Sequence, residues 1–525
     1  MIHKIQPQPT RNVQLALFFL YLFTHLLNLT RFPIFADESI YIRWSQLIID
    51  DWHQYLFFPM NDGKTPLFIW ILVPFQFLFH DQLFAARIVS VLIGLLQMFV
   101  VKEIARRIGG RPKTQIFSMI LIMILPFWYF HHRVALMDGL LTLLFSLVIL
   151  GVIHCVQNRR VSLPAIVTTG IFFGLSFWTK IPALFFLPVL PLFAFLPKKR
   201  IFAERLPSLL WIGASAVIGI GIFALLRISP SFGQLFHRGA DFTYPIADVL
   251  FHGKWLVTIQ NFPSYFYYFI VYLTPPIFFL AFAGVFSKTY RRTTVCLLLA
   301  AFVFAFPFMF FGKMVYARYL FPSALFLTLS SALSLQGMYD RFFRSSVEKE
   351  MWHKTAIGVA VALVLANAIS NSFLFMGYSL FQTDLIPFVS SDRAQYLEDW
   401  SSGHGISETV EFIQKQAQTK KIAVATEGRF GTLPDGLLLY FHRQNLKNIY
   451  IEGTGEYPVK DIPYFFLKKA VGYDQVILVV NSDRMHMISQ DRSLIFQVCR
   501  PNHASCLQVW DITHFVKNEE TKKLF

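Results

Sequence analysis

The sequence predicts an α-helical polytopic membrane protein with about 11 transmembrane helices, followed by a C-terminal extracytoplasmic α/β domain. Three observations predict it. Hydrophobic residues make up 55% of the 525 and charged residues only 15%, with a mean hydropathy of +0.50, outside the range of water-soluble globular chains. The apolar residues fall in blocks of about 17–25, the length that crosses a bilayer core. After Tyr378 the blocks stop, and charges and glycines return.

Spans fall near 13–30, 84–101, 114–130, 139–155, 163–179, 182–196, 207–226, 266–286, 294–311, 319–337 and 355–378. Lys4 and Arg11 precede the first, which lacks a small-residue cleavage site and reads as an uncleaved signal anchor. The segment from Pro66 to His80 is apolar but short, and carries Pro74 and Gln76. If it crossed, Lys102, Arg106, Arg107, Arg111 and Lys113 would lie opposite Lys4 and Arg11, against the positive-inside rule. Read as interfacial or re-entrant, it leaves every basic cluster on one side. Those clusters are Arg159-Arg160, Lys198-Lys199-Arg200, Lys288 with Arg291-Arg292, and Arg341, Arg344, Lys349 and Lys354.

This parity predicts a multi-pass protein of the cell (plasma) membrane with a cytoplasmic N-terminus. A transmembrane domain occupies 1–378, with a first outer loop at 31–65 and an interfacial segment at 66–80; the outer domain occupies 379–525. The net charge of +16 lies in short runs between apolar blocks, as anchors at an anionic leaflet do. Nucleic-acid binding is therefore not expected.

Parity also places Asp37, Glu38, Lys64, His131, His132, Arg133, Asp138, Lys180, Lys313 and Arg318 at outer ends of spans. Charge there is costly and normally faces a cavity or a partner. A single Lys or Arg is explained as well by snorkelling, which does not explain the acidic members. From Ile40, the residues Trp44, Leu47 and Ile48 recur at helical spacing, predicting an amphipathic helix lying on the membrane. Asp37 would stand at its N-terminus, where a carboxylate is equally a cap or a catalyst.

Other features carry less. Adjacent His131 and His132 diverge on a helix and lack chelating spacing. Tyr265, Tyr267 and Tyr268 read as an interfacial belt. The loop from Arg227 to Ser264 is long enough to cover a site, without an assignable role. In the outer domain, helical signals at 407–417 and 437–443 alternate with strand-like runs at 422–426, 449–452 and 475–480. Glu427-Gly428-Arg429-Phe430-Gly431 lacks phosphate-loop spacing and reads as a turn. Cys499 and Cys506 bracket a hairpin between runs 494–498 and 507–511, suiting a disulfide outside the membrane.

Several short signatures recur in order: Asp37-Glu38 after the first span, Lys64-Thr65-Pro66-Leu67, Ala86-Arg87, Arg133 five residues before Asp138, Gly174-Leu175 before Thr179-Lys180, and Arg318-Tyr319 before Pro322. Over about residues 13–380 this resembles the polyprenyl-phosphate-sugar-dependent glycosyltransferases that include protein O-mannosyltransferases and the aminoarabinose transferases of lipid A. The resemblance implies a GT-C fold with interfacial helices in the first outer loop. It also implies a polyprenyl-phosphate-linked sugar donor and an acceptor protein, lipid or glycan. In two places the chain departs from the pattern. Gly63 stands where the aminoarabinose transferases carry an acidic residue resembling a metal-site member, and Thr65 replaces the first proline of Lys-Pro-Pro. No cofactor is assigned, and a divalent metal is left open, with Asp62 nearby.

Attack of an acceptor hydroxyl on a lipid-phosphate sugar needs a base for the proton and cations for the phosphate leaving group. Asp37 is the expected base. Lys64, Lys180 and Arg318 are expected to hold phosphate, and Arg133 joins them as substrate-binding through the resemblance. Glu38 and Asp138 are expected to orient sugar hydroxyls or the basic residues, or to assist a metal. A single displacement inverts the anomeric configuration, so the expected activity is that of an inverting glycosyltransferase. The alternative is a lipid or glycan transporter or flippase, which favours inverted repeats and midplane charges; neither is visible here.

Overall fold

The computed structural model describes residues 11–158, 162–197, 204–344, 351–442, 448–487 and 492–515. Lys4, Arg159, Arg160, Lys198, Lys199, Arg200, Lys349 and Arg443, used in the expectations above, lie outside the described residues. The chain packs as two compact units. One comprises Met1–Leu29, Leu56–Phe68 and Arg87–Gln382; the other comprises Thr30–Tyr55, Ile69–Ala86 and Thr383–Phe525.

The first unit is helical. Among the described residues, 5 helices are long and apolar enough to cross a membrane, or 6 if one bent pair counts as a single span. The eleven spans expected are therefore not eleven unbroken helices, and prolines are the reason. Near 114–130, Pro112–Ile124 stops at extended Leu125 and Pro126–His131 begins, because a proline removes a donor and pushes its predecessor out of helical backbone. Near 182–196, Pro182, Pro188 and Pro191 leave two 3-10 turns, Ile181–Phe186 and Leu190–Phe195. Near 266–286, Trp255–Tyr272 and Pro275–Phe286 meet at 106° across Thr274, whose φ of +64° precedes Pro275-Pro276.

Close packing holds the helices without a hydrophobic drive between them. The helix Phe321–Arg344 is central, with 94% of its spanning stretch buried, against 22% for the stretch at Leu206–Ile228. Its serines replace apolar contacts with hydrogen bonds: Ser323 to Ala301 O at 2.8 Å, Ser330 to Ala281 O at 2.5 Å and Ser331 to Ile277 O at 2.8 Å. Gly170 and Gly174 of Leu163–Thr179 let Leu206–Ala224 approach so near that a Cβ on Gly170 would sit 2.7 Å from Ile218.

The ends of these helices differ in charge. At one end Glu103 takes Arg106 and Arg107, at 2.5 and 2.7 Å, and Arg111 pairs with Asp340 at 2.8 Å. Asp138 and Arg318 stand at the opposite ends of the helices that carry His154, a neighbour of Arg107, and Asp340. The apolar helix Leu67–Leu78 is only about 18 Å long, shorter than the roughly 30 Å hydrocarbon core. Pro74 lies inside it.

The second unit holds a five-stranded sheet of β1 (Ile422–Thr426), β2 (Ile449–Gly453), β3 (Gln475–Asn481), β4 (Ser493–Cys499) and β5 (Cys506–Asp511), in the order β2-β1-β3-β5-β4. The apolar run of β1 is buried throughout, as the centre of a parallel β2-β1-β3 triplet requires. β4 and β5 add an antiparallel hairpin, closed by the Cys499–Cys506 disulfide. The helices Ile406–Gln416, Asp435–Phe441 and Tyr464–Ala470 accompany the sheet.

The same unit contains the first-loop helix, Ala36–Asp50. It does not have the single lipid-facing stripe expected of it. Ser39, Ser45 and Gln46 are as buried as Ile40, Tyr41, Trp44 and Ile48. The cause is its packing on Asp435–Phe441: Gln46 Nε2 donates to Leu439 O at 3.0 Å, His442 Nε2 meets Asp50 Oδ1 at 2.9 Å, and Gly436 leaves room for Ser39 Oγ.

Candidate active site

Lys180 owes its place to the end of a helix. Leu163–Thr179 stops because Pro182 has no N–H to donate to the Trp178 carbonyl, and Lys180 takes an extended conformation. Its Nζ donates to Asp138 Oδ1 at 2.7 Å. Asp138 stands in the first turn of Met137–Gln157, where unpaired N–H groups and the helix dipole favour a carboxylate. The pair is largely withdrawn from water, with side-chain exposures of 7% for Asp138 and 25% for Lys180.

Around this pair the unit gathers a third predicted residue. Lys180 Nζ lies 5.1 Å from the centre of the Tyr319 ring, and the Arg318 guanidinium lies 5.7 Å from the same ring. Phe308 stacks on that ring at 5.6 Å. The buried Arg318 sits in the 3-10 turn Ala317–Leu320. Asn261 Nδ2 holds the preceding loop through Met309 O and Gly312 O, at 3.2 and 2.9 Å.

Lys64 belongs to a second cluster. Its Nζ is 3.7 Å from Asp62 Oδ2, and Arg238 Nη1 is 3.1 Å from Asp62 Oδ1. Gly63 between them has φ +67°, and a Cβ there would stand 2.6 Å from Arg238 Cβ and 2.7 Å from Gln234 O. An acidic side chain at this position is thus excluded by backbone conformation and by space. Among the described residues there is no group of three His, Cys, Asp or Glu side chains that could hold a metal ion, and Asp62 is paired with cations instead.

Arg238 comes from the long loop to which sequence reasoning assigned no role. The same loop is tied to the neighbourhood of Arg318. Lys313 N–H donates to Phe242 O at 2.8 Å, Lys313 Nζ donates to Ala240 O at 2.7 Å, and Tyr244 N–H donates to Phe311 O at 2.7 Å. A loop that grips both clusters has a positioning part in each. Its signal in the sequence was weak, since the partners of Arg238 and Ala240 lie 176 and 73 residues away.

Arg133 is engaged elsewhere. Its guanidinium donates to Thr24 O, His25 O and Asn28 O at 3.1, 2.8 and 3.0 Å, and Arg87 donates to Leu29 O at 3.0 Å. Both satisfy carbonyls left open where Arg11–Leu26 ends. This geometry gives Arg133 a helix-capping part. The histidines diverge: His131 Nδ1 faces Phe127 O at 2.8 Å, whereas His132 Nδ1 meets Tyr21 Oη at 3.1 Å.

Asp37 and Glu38 lie in the second unit, in the first turn of Ala36–Asp50. The cap is Glu38: its Oε2 accepts from the Phe35 N–H at 3.0 Å, and its side chain is fully buried. Asp37, half-buried beside it, rides on a turn fixed by its neighbour. The turn is anchored further by Ala36 N–H to Ser401 O at 2.9 Å and by a bridge between Phe35 and Ser402.

Residues 63–223 match the family described as dolichyl-phosphate-mannose-protein mannosyltransferase. An undecaprenyl phosphate-alpha-4-amino-4-deoxy-L-arabinose arabinosyl transferase of Pseudomonas fluorescens is 29% identical over 198 residues, 37% of this chain. The match spans about a third of that relative, 34% of its length. Among solved structures, ArnT from Cupriavidus metallidurans is similar with a TM-score of 0.57 in the apo state and 0.55 when bound to undecaprenyl phosphate. The apo comparison covers 95% of this chain and 97% of ArnT, at 17% identity. An Archaeoglobus fulgidus oligosaccharyltransferase tethered to an acceptor peptide is similar over 90% of this chain and 68% of its own, with a TM-score of 0.54 and 11% identity. At these identities the structural likeness is one of fold.

Proposed function

We propose, from the premise of a GT-C glycosyltransferase fold in a multi-pass membrane protein, that this chain is an inverting glycosyltransferase. It moves a sugar from a polyprenyl-phosphate donor to an acceptor hydroxyl on the extracytoplasmic face. The observation that carries the reading is the cluster of Asp138, Lys180 and Arg318 around Tyr319. Lys180 is paired with Asp138 there, and the Arg318 guanidinium faces the same Tyr319 ring, so two cations are brought together. In the second cluster Lys64 and Arg238 flank Asp62, and Arg238 also lies 3.9 Å from Asp241. Cations gathered in a partly desolvated site at helix ends favour a phosphate, and the undecaprenyl phosphate bound by the Cupriavidus metallidurans neighbour supports a lipid phosphate as the donor head.

The acceptor oxygen attacks the anomeric carbon while Asp37 takes its proton. The bond from that carbon to the phosphate oxygen breaks, and the electron pair leaves with the lipid phosphate. Lys180 and Arg318, with Lys64, neutralise the charge that develops there. One displacement inverts the anomeric carbon. Asp138 holds Lys180 in place, Glu38 holds the turn that carries Asp37, and Arg133 holds the end of the first helix.

Proteoliposomes supplied with radiolabelled polyprenyl-phosphate sugars test the reading. Transfer of label with inversion is expected, and Asp37→Asn should abolish it. Transfer with retained configuration, or full activity of Asp37→Asn, would overturn the mechanism; consumption of none of the donors would overturn the function.

A further inference from the structure

The loops leaving the carboxyl ends of the parallel strands carry a further cluster of charged and aromatic residues. In the order β2-β1-β3, the chain steps from β1 to one side and returns to the other. The gap between the ends of β1 and β3 is therefore a topological switch point, the place where open α/β sheets bind ligands. The sequence stretch Glu427-Gly428-Arg429-Phe430-Gly431, read as a turn, lies there.

That stretch is built around charge. Glu427 is buried; its carboxylate accepts from Asn481 N–H and Nδ2 at 3.0 and 2.7 Å and from Arg484 Nη1 at 3.2 Å. Arg500, also buried, donates to Asn481 Oδ1 at 2.5 Å and to Ser402 O at 3.1 Å. This network fixes Arg484 between two rings, its guanidinium carbon 4.3 Å from the centre of Trp400 and 5.1 Å from that of Tyr457. Gly428 N–H to Glu456 O and Gly455 N–H to Gly428 O, at 3.0 and 2.9 Å, tie the loops after β1 and β2 together. Positive φ values at Gly428, Gly431 and Gly455 allow it.

The result is a rigid aromatic surface in water. Trp400 is 37% exposed, Phe430 48% and Tyr457 69%. Around it stand exposed Asp399, Arg429, Glu456 and Asp483. Charges of both signs leave little net field to attract an anion. Flat exposed rings beside carboxylates and a planar guanidinium match a pyranose ring, whose C–H face stacks on an aromatic and whose hydroxyls take paired hydrogen bonds. We infer that the Trp400–Arg484–Tyr457 platform at the carboxyl ends of β1 and β3 is a binding site for a neutral hexose-containing glycan. The inference does not depend on the donor chemistry.

The test uses the full-length protein in detergent on an immobilised array of neutral gluco-, manno- and N-acetylglucosamine oligosaccharides, with inorganic phosphate as competitor. Binding of at least one oligosaccharide, unaffected by phosphate, is expected. Tyr457→Ala, at an exposed side chain, and Trp400→Ala should each weaken it about tenfold or more. Trp400→Phe should retain most of it, and Asp37→Asn all of it, which separates this site from the transfer reaction. Absence of binding to every oligosaccharide at millimolar concentration, displacement by phosphate, or unchanged binding by a folded Tyr457→Ala would each overturn the inference.

Discussion

Replacing Lys180 by methionine separates its two roles, and the structure says by how much. The variant leaves Asp138, whose side chain is 7% exposed, without its 2.7 Å partner. Breaking a fully buried pair costs about 3–5 kcal/mol. Lys180 is itself 25% exposed, so water reaches the abandoned carboxylate and the cost falls to about 2–3 kcal/mol. Transfer should fall further, about 10²–10³-fold, as when one preorganised charge is removed from a transition state. Adding Asp138→Asn removes the stranded charge, so the double variant should melt within about 1 kcal/mol of the wild type. Transfer should not return, because no cation is restored to the phosphate. The assay measures thermal melting in detergent and label transfer in proteoliposomes on the wild type, both single variants and the double. Recovery of transfer together with stability in the double variant would show that Lys180 serves only Asp138 and would refute the phosphate role.

Three further outcomes follow from the geometry. Asp37→Asn should lower turnover about 10²–10⁴-fold with donor binding retained, whereas Glu38→Ala should cost about 1 kcal/mol of stability through the lost cap on Phe35; donor-binding and melting measurements on both distinguish base from cap. Gly63→Ala meets both a φ of +67° and Arg238 Cβ, and should destabilise by about 1–3 kcal/mol, read by melting. Burial pushes the Glu427 carboxyl above its ordinary range, against hydrogen bonds from Asn481 and the charge of Arg484. Above about pH 4.3, the ordinary value for the unfolded chain, the folded protein still holds the proton that the unfolded chain has released. The stability linked to Glu427 is therefore fully present below that pH and is lost as pH rises through the folded value. Melting of the wild type from pH 4 to 7 should show this fall, and Glu427→Gln should flatten it.

The residues that could be read directly were those whose cost is local. Asp138 and Lys180 stand out because charge beside apolar runs demands a partner, and each turned out to be the other's. The strands were legible because runs such as Ile422–Thr426 and Gln475–Asn481 are apolar and bounded by turn residues. The disulfide was legible from two cysteines bracketing a hairpin. What escaped was set by distant partners. Arg133 was read as a substrate ligand through the resemblance, and the capping part it also plays was not visible, because the carbonyls it caps lie 105 to 109 residues upstream. The Ala36–Asp50 helix shows the stripe of a membrane-surface helix, yet small Ser39 and Ser45 and the amide of Gln46 allow its other sides to be buried too. Proline positions were visible, but the 106° bend at Thr274 was not.

The second unit is assembled from segments separated by most of the chain. During synthesis the Ala36–Asp50 helix emerges almost four hundred residues before Leu439 and His442, which satisfy Gln46 and Asp50. Until then the Gln46 amide has Gln82, 3.3 Å away in the finished fold, as its partner outside its own helix. A chain truncated after the last long helix would retain Asp37, Lys64, Lys180 and Arg318, yet leave the turn that carries Asp37 without Ser401 and Ser402. The distal segment thus acts as a late-arriving clamp on that turn, which a nascent polypeptide lacks until the distal segment has been made.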